Sequence, residues 1–334
     1  MRVLLPPLAS TPLPPPPAPM RSLAGETMGT CWSLKCVLPP LLEVPAVEAA
    51  VQRELARVIA QMSGWEPQSA LCRFNRAPAG SWQVLEPEFF EVLAHAVALA
   101  EDSAGAFDPT LGALVDLWGF GPAGAPAQYP GDADIARESR CCGWHRLRID
   151  ASRRAALQPG GLCLDLSGIA KGYAVDLLAR RLDALGVANY LVEIGGELTA
   201  RGVKCDGTPW WVGFELPPDA DRMPRSPAPL RAGLSGWAAA TSGDYRRFFL
   251  DGTTRRSHTL DARSGAPVAS DVASVTVLHR SCMQADALAT ALMVMGAQAG
   301  RQWADARDVA ARFVLRVPEG HAEWLSPALA TMLD

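Results

Sequence analysis

A mixed α+β fold follows from three features of this 334-residue chain. Hydrophobic residues make up 49% of it, enough to bury a large core as one domain or as two closely packed lobes. Residues 162–166, 167–186 and 189–202 read as strand, helix and strand. A strand-like run over 272–280 feeds directly into a helix-like run over 281–296, and two amphipathic helices lie near the start of the chain.

Taken in order, residues 1–26, MRVLLPPLASTPLPPPPAPMRSLAGE, are proline-rich and predict a disordered or polyproline leader. The apolar run after Arg2 is broken by Pro6 and Pro7, and Cys31 lacks a hydrophobic lead-in, so neither a signal peptide nor a lipoprotein site is expected and the chain reads as cytoplasmic. Residues 27–334 are expected to form a single domain. Its first strand is 30–38. A helix over 45–62 places Val47, Val51, Leu55, Val58, Ile59 and Met62 on one face. A second helix, 86–104, begins at Pro87 and runs into GAFDPTLGALVDLWGFG at 105–121. Its glycines and aromatics set backbone and ring faces beside something flat or tightly packed. Residues 122–134 read as a surface loop, and 122–160 contains no recognisable chemical motif.

In the middle of the chain Ser167 is the expected N-cap of a helix, with Ile169, Tyr173, Leu177 and Leu182 on its core face and Gly186 as its stop. A strand at 209–215, a proline-rich surface insertion at 216–232 and a hairpin turning at Asp251-Gly252 follow. The net charge of -4 provides no basic face for nucleic acid, and no segment is apolar enough to span a bilayer. The eight cysteines lack paired zinc-site spacing and read mostly as reduced, buried small hydrophobes.

The most informative stretch is SCMQADALATALMVMG, 281–296. Ser281 and Gln284 have capping-box spacing, and Gly296 sits where a helix stop belongs. Its residues are apolar or small almost throughout, so the helix is expected to be buried, yet it carries Asp286. A buried carboxylate needs a cation or several donors. Thr290, one turn on, shares its face, and together they offer two oxygens to a hard cation such as Mg2+. The competing reading is a buried Asp capping a neighbouring loop while Thr290 bonds back to its own helix.

Seven segments, TMGT (27–30), GAFDPTLGALVDLWGFG (105–121), DLSGIAKGYAVD (165–176), EIGGE (193–197), ATSGDY (240–245), SHTLDARSGAPV (257–268) and ADALATAL (285–292), occur in an order that resembles the ApbE family of FAD:protein FMN transferases. The resemblance runs from about Met28 to about Gly296. It implies a compact two-lobed, T-fold-like α+β arrangement of mixed sheets and helices, with the flavin nucleotide between the lobes. It also implies an enzyme that splits FAD at its pyrophosphate with Mg2+ and joins FMN by a phosphoester to a Thr or Ser of a target flavoprotein, releasing AMP.

By the same resemblance Asp286 and Thr290 are metal ligands, joined by the backbone carbonyl of Gly168 and by the Ala289 position. Met28, Trp65, Ala106, Phe107, Asp108, Asp165, Lys171 and Leu260 are implied to contact FAD. Trp65 stands where relatives more often carry Tyr and keeps a flat face for stacking. Lys171 occupies a position that varies between acidic and basic among relatives. Read without the family, Asp165 to Ser167 is an ordinary capped turn, Phe107 and Met28 are core, and Asp108-Pro109 is a turn whose carboxylate can receive a ring or ribose donor. His258 is a candidate base for the attacking hydroxyl beside Leu260, or a structural histidine; Asp261 orients it or begins the next turn. Relatives are commonly exported or lipid-anchored, and this chain shows neither signal. Two alternatives remain: an Mg2+-dependent FAD pyrophosphatase giving FMN and AMP, which shares every one of these residues, and a non-catalytic FAD-binding protein, against which the Asp286, Thr290 and Gly168 set argues.

Overall fold

The computed structural model describes residues 1–8, 11–12, 18–126, 128–220, 223–251 and 254–334. The chain divides into two compact units, one formed by 1–56, 171–245 and 270–334, the other by 57–170 and 246–269.

The first unit is built on an eight-stranded sheet whose strands neighbour one another in chain order: Met20–Thr27, Thr30–Val37, Asn189–Ile194, Glu197–Arg201, Trp237–Gly243, Val272–His279, Ala310–Val317 and Gly320–Leu325. Every adjacent pair is antiparallel. Val272–His279 is buried along nearly its whole length, including Ser274 and Thr276, which alternate with Val275 and Val277; Thr276 Oγ1 lies 2.9 Å from Thr241 Oγ1 on the neighbouring strand. On one face, Ala240, Val275, Val277, Ala311 and Phe313 pack with Ala285, Ala289 and Leu292 of the Cys282–Ala306 helix. A separate apolar cluster gathers Trp210, Ala239, Leu278, Ala310 and Leu329.

The Cys282–Ala306 helix starts as expected: Ser281 Oγ accepts from Gln284 N. It continues past the expected stop, but Gly296 is non-helical (φ 76°, ψ -178°) and breaks it there, a conformation only glycine adopts without strain. The expected helices at 45–62 and 86–104 are Val44–Met62 and Pro87–Asp102.

Other elements differ from the sequence reading. The expected strand 189–202 is a hairpin, because Gly195 and Gly196 take φ of 63° and 110° and reverse the chain between Ile194 and Glu197. Residues 162–166 form no strand; only an isolated bridge joins Leu111 and Cys163. Ser167 is not a helix cap: its N–H and hydroxyl both bind the Asp165 carboxylate at 2.8 and 3.0 Å, and the helix begins later, at Ala170. Part of the leader is ordered. Arg2–Leu4 pairs parallel to Leu230–Leu234 with Leu4 wholly buried, and Met20–Thr27 is the outermost strand of the main sheet. Apolar side chains with a strand edge beside them outweigh the disordering effect of the prolines between; residues 9–10 and 13–17 of the leader lie outside the described residues.

The second unit holds a three-stranded sheet of Ser81–Val84, Ala155–Gln158 and Arg148–Asp150. The hairpin expected near 251 is present, with Phe248–Asp251 pairing Thr254–Ser257; Gly252 lies outside the described residues. The stretch 122–160, silent as a motif, supplies the Asp132–Ser139 helix and two of the three sheet strands. No helix is long and apolar enough to cross a membrane among the described residues.

Candidate active site

In the first unit the Asp286 helix meets the Ala170–Ala184 helix at a glycine. Gly172 N–H donates to Asp286 Oδ2 at 2.9 Å, and a side chain at 172 would place its Cβ 2.3 Å from the Cys282 carbonyl oxygen. Only glycine permits that approach. Asp286 is 3% exposed. Burial pushes its carboxyl upward, against the pull of the Lys171 ammonium and the Gly172 N–H.

Lys171 Nζ in turn lies 2.7 Å from Glu197 Oε1. Burial alone would lower Lys171, but the fields of Asp286 and Glu197 outweigh it and hold the ammonium charged. Glu197 is 3% exposed, and its carboxyl rises from 4.5 to about 7: burial raises it, Lys171 opposes, and Asp286 adds to the rise. Glu197 Oε2 is buried without a hydrogen-bond partner among the described residues. One ammonium thus serves two buried carboxylates, a negative, oxygen-rich surrounding short of positive charge. Thr290 Oγ1 lies 3.2 Å from Ser242 Oγ, one helical turn from Asp286. Oxygens of this kind suit a hard divalent cation, so Asp286 and Thr290 fit Mg2+ chemically. Ala289 is fully buried in the apolar core and brings no side-chain ligand. Among the described residues no group of three or more His, Cys, Asp or Glu is placed to hold a metal.

Asp176, from the same DLSGIAKGYAVD segment, caps the Asp286 helix. Its carboxylate accepts from Ser281 Oγ (2.6 Å), Cys282 N (2.8 Å) and Met283 N (3.0 Å), satisfying amide groups that a helix start leaves open. Met28, also in this unit, occupies the turn between the first two sheet strands. Met28 and Gly29 have φ of 48° and 69°, the paired positive values of a two-residue hairpin turn, and a methionine there is strained.

The second unit holds Trp65, Ala106, Phe107, Asp108, Asp165, Gly168, His258 and Leu260. Trp65 is 63% exposed on a loop. Phe107 and Ala106 are buried, and Leu260 packs with Leu114, Trp118 and Cys142, so these three serve as core. Asp108 Oδ1 accepts from Thr110 N (2.8 Å) and Thr110 Oγ1 (2.6 Å), and its Oδ2 from Trp144 N (3.1 Å). Burial raises its carboxyl despite those bonds. This is the turn reading of Asp108, with the carboxylate already engaged by its own chain. Asp165 is likewise raised by burial against the bonds from Ser167, with Asp116 adding to the rise.

His258 follows the hairpin strand, in a bend. Its N–H donates to the Arg247 carbonyl at 3.3 Å, and Nδ1 lies 3.0 Å from the same oxygen. If that ring nitrogen carries the proton, Nε2 is the acceptor. Asp261 begins the following turn, its carbonyl accepting from Gly265 N, and pairs with Arg263 at 2.8 Å.

Among the described residues all eight cysteines are free thiols; Cys36, Cys142 and Cys282 are buried, while Cys31 and Cys205 are exposed, so burial is less general than composition predicts. Glu197, Asp176 and Gly172 were missed as functional candidates, though all three lie inside the quoted motifs.

A profile described as the ApbE family matches residues 28–313. A curated relative from Vibrio cholerae, named FAD:protein FMN transferase, is 36% identical over 319 residues, covering 95% of this chain and 94% of the relative. The solved apo structure of Pseudomonas stutzeri flavinyl transferase ApbE superposes with a TM-score of 0.86 at 38% identity, over 94% of this chain and 96% of that one. The Vibrio cholerae flavin transferase ApbE structure gives 0.86 at 36% identity, over 94% and 100%.

Proposed function

The chain belongs to the ApbE family, and from that premise we propose that it is an FAD:protein FMN transferase acting on a Thr or Ser hydroxyl of a target flavoprotein. The observation that carries the proposal is similarity over nearly the whole length to flavin transferases at 36 to 38% identity. In this reading the acceptor oxygen attacks the phosphorus of the FMN half of FAD, the bridging P–O bond to the AMP half breaks, and AMP leaves. Mg2+, if held by Asp286 and Thr290, would supply positive charge against the leaving phosphate.

Asp286 and Thr290 are the side chains proposed to hold that ion; the carbonyl of Gly168 and the Ala289 position enter from the family resemblance alone. The buried surplus of carboxylate around Lys171 supports the assignment, because a second cation would relieve it. His258 is proposed to accept the proton of the attacking hydroxyl. Trp65 and Met28 are proposed to meet the organic part of FAD, with Asp165 and Lys171 nearer its polar groups. Ala106, Phe107, Asp108 and Leu260 are proposed FAD contacts from the family resemblance alone.

The test is incubation with FAD, Mg2+ and flavoprotein domains, read by intact mass and by AMP release. A target that gains the mass of FMN less water supports transfer. Fast AMP release with no modified target would instead mark a pyrophosphatase. Asp286→Ala should abolish the Mg2+-dependent release while circular dichroism stays native; normal turnover by this variant would overturn the metal assignment.

A further inference from the structure

Lys171 has two buried carboxylates within its reach. It precedes Gly172, whose N–H donates to Asp286 Oδ2 at 2.9 Å, so the backbone of Lys171 lies one residue from the Asp286 carboxylate. A lysine stem is long and flexible enough to turn its ammonium onto that carboxylate, and a charge-assisted bond of this kind is strong away from water. Asp286 already feels the Lys171 charge, which pulls its carboxyl down against burial. Yet the ion pair that Lys171 forms is with the other acid: Nζ lies 2.7 Å from Glu197 Oε1.

The difference lies in how Glu197 is held. It opens the Glu197–Arg201 strand directly after the Gly195–Gly196 turn, pairs across the hairpin with Ile194, and sits on an interior strand of the eight-stranded sheet. A side chain on such a scaffold stays in place better than a lysine stem can hold itself. The Glu197 side chain is 4% exposed and that of Lys171 30%, so the carboxylate forms the fixed wall and the ammonium the adjustable part. Glu197 Oε2 has no hydrogen-bond partner among the described residues. Burying a carboxylate so incompletely satisfied costs stability, which points to a use beyond packing.

We propose that Glu197 is a positioning residue for the metal site: by holding the Lys171 ammonium it keeps that charge off Asp286 and leaves the Asp286 carboxylate to a divalent cation. Without Glu197, Lys171 is a built-in competitor of Mg2+. The proposal rests on Asp286 as a metal ligand and adds what keeps that ligand available.

The experiment uses the full chain, with Mg2+ alone as the probe in isothermal titration calorimetry. The MgCl2 dependence of AMP release at saturating FAD is read in parallel. Glu197→Gln should raise the Mg2+ dissociation constant about tenfold or more, as expected when the ammonium occupies Asp286 in about nine of ten molecules. Glu197→Asp keeps the charge but withdraws it by one methylene, so it should also weaken Mg2+ by several fold; a carboxylate acting only through its field would leave the constant unchanged. This variant remains informative if Glu197→Gln folds poorly. In a Lys171→Met background neither substitution should move the constant by more than about twofold, because the competitor is gone. A crystal structure of metal-free Glu197→Gln should show Nζ hydrogen-bonded to Asp286. Wild-type Mg2+ affinity in both Glu197 variants, a loss of equal size in the Lys171→Met background, or an Nζ still turned away from Asp286 would overturn the proposal. If the wild type neither binds Mg2+ nor depends on it for AMP release, the metal assignment of Asp286 falls and this inference with it. Mg2+ binding without any AMP release would count against the transferase reading alone, since the calorimetry still decides the role of Glu197.

Discussion

Replacing Lys171 with methionine isolates what it costs to hold two buried carboxylates without their shared cation. In the native protein the ammonium sits 2.7 Å from Glu197 and in the field of Asp286. The folded-state value of Glu197, about 7, lies above its ordinary 4.5, so folding takes up a proton as pH rises between those values. The stability contributed by Glu197 is therefore complete below pH 4.5 and is lost as pH climbs toward about 7. Without Lys171 the main opposition to the rise is gone, and the loss extends to higher pH. At about pH 8 the variant should be less stable than the parent by about 3 to 5 kcal/mol, the usual cost of stripping one partner from a buried pair. At about pH 5 Glu197 is mostly protonated in both proteins, and the deficit should shrink toward about 1 to 2 kcal/mol. The assay is urea unfolding in EDTA across this pH range. The deficit should grow by up to about 1.4 kcal/mol per pH unit for each extra proton the folded variant retains. Adding Glu197→Gln to Lys171→Met should recover most of the loss, since the amide has no charge to neutralise. A deficit that is the same at both ends of the range, or a double variant no more stable than the single, would refute this account.

Asp176→Ala removes the cap of the Asp286 helix and should cost about 1 to 2 kcal/mol, seen as a lower Tm by calorimetry; an unchanged Tm would show the cap to be dispensable. Gly172→Ala forces a Cβ to within 2.8 Å of the Asp286 Cβ, so it should cost about 1 to 3 kcal/mol and lower Mg2+-dependent AMP release; a variant with native stability and turnover would contradict the close helix approach. His258→Gln should slow FMN transfer by about a hundredfold or more while FAD affinity, measured by fluorescence quenching, stays nearly constant. A parallel loss of affinity would make His258 a binding residue and not a base.

The helix carrying Asp286 was legible in the chain because its signals are local. Ser281, the apolar run and Gly296 lie within one segment, and the structure uses all three. The early helices and the strands at 30–37, 210–214 and 272–279 were legible for the same reason: hydrophobic periodicity and turn residues act over a few positions. Ordered motifs likewise sufficed for the family, with its α+β fold and its flavin chemistry.

What tertiary structure alone decided are relations between distant segments and their degree of burial. Gly172 and Asp286 are 114 residues apart in the chain, and Asp176 and Cys282 are 106 apart, yet each pair is hydrogen-bonded. Lys171 as the cation for both Glu197 and Asp286 could not be read from EIGGE or AKGYAVD, since neither motif states which side chains face each other. The same limit explains the leader: Arg2–Leu4 became a strand because Leu230–Leu234 offered it an edge, which no window around its prolines contains. Charge states followed suit. Sequence places a carboxylate at 197, but only its withdrawal from water beside one shared ammonium moves it to about 7.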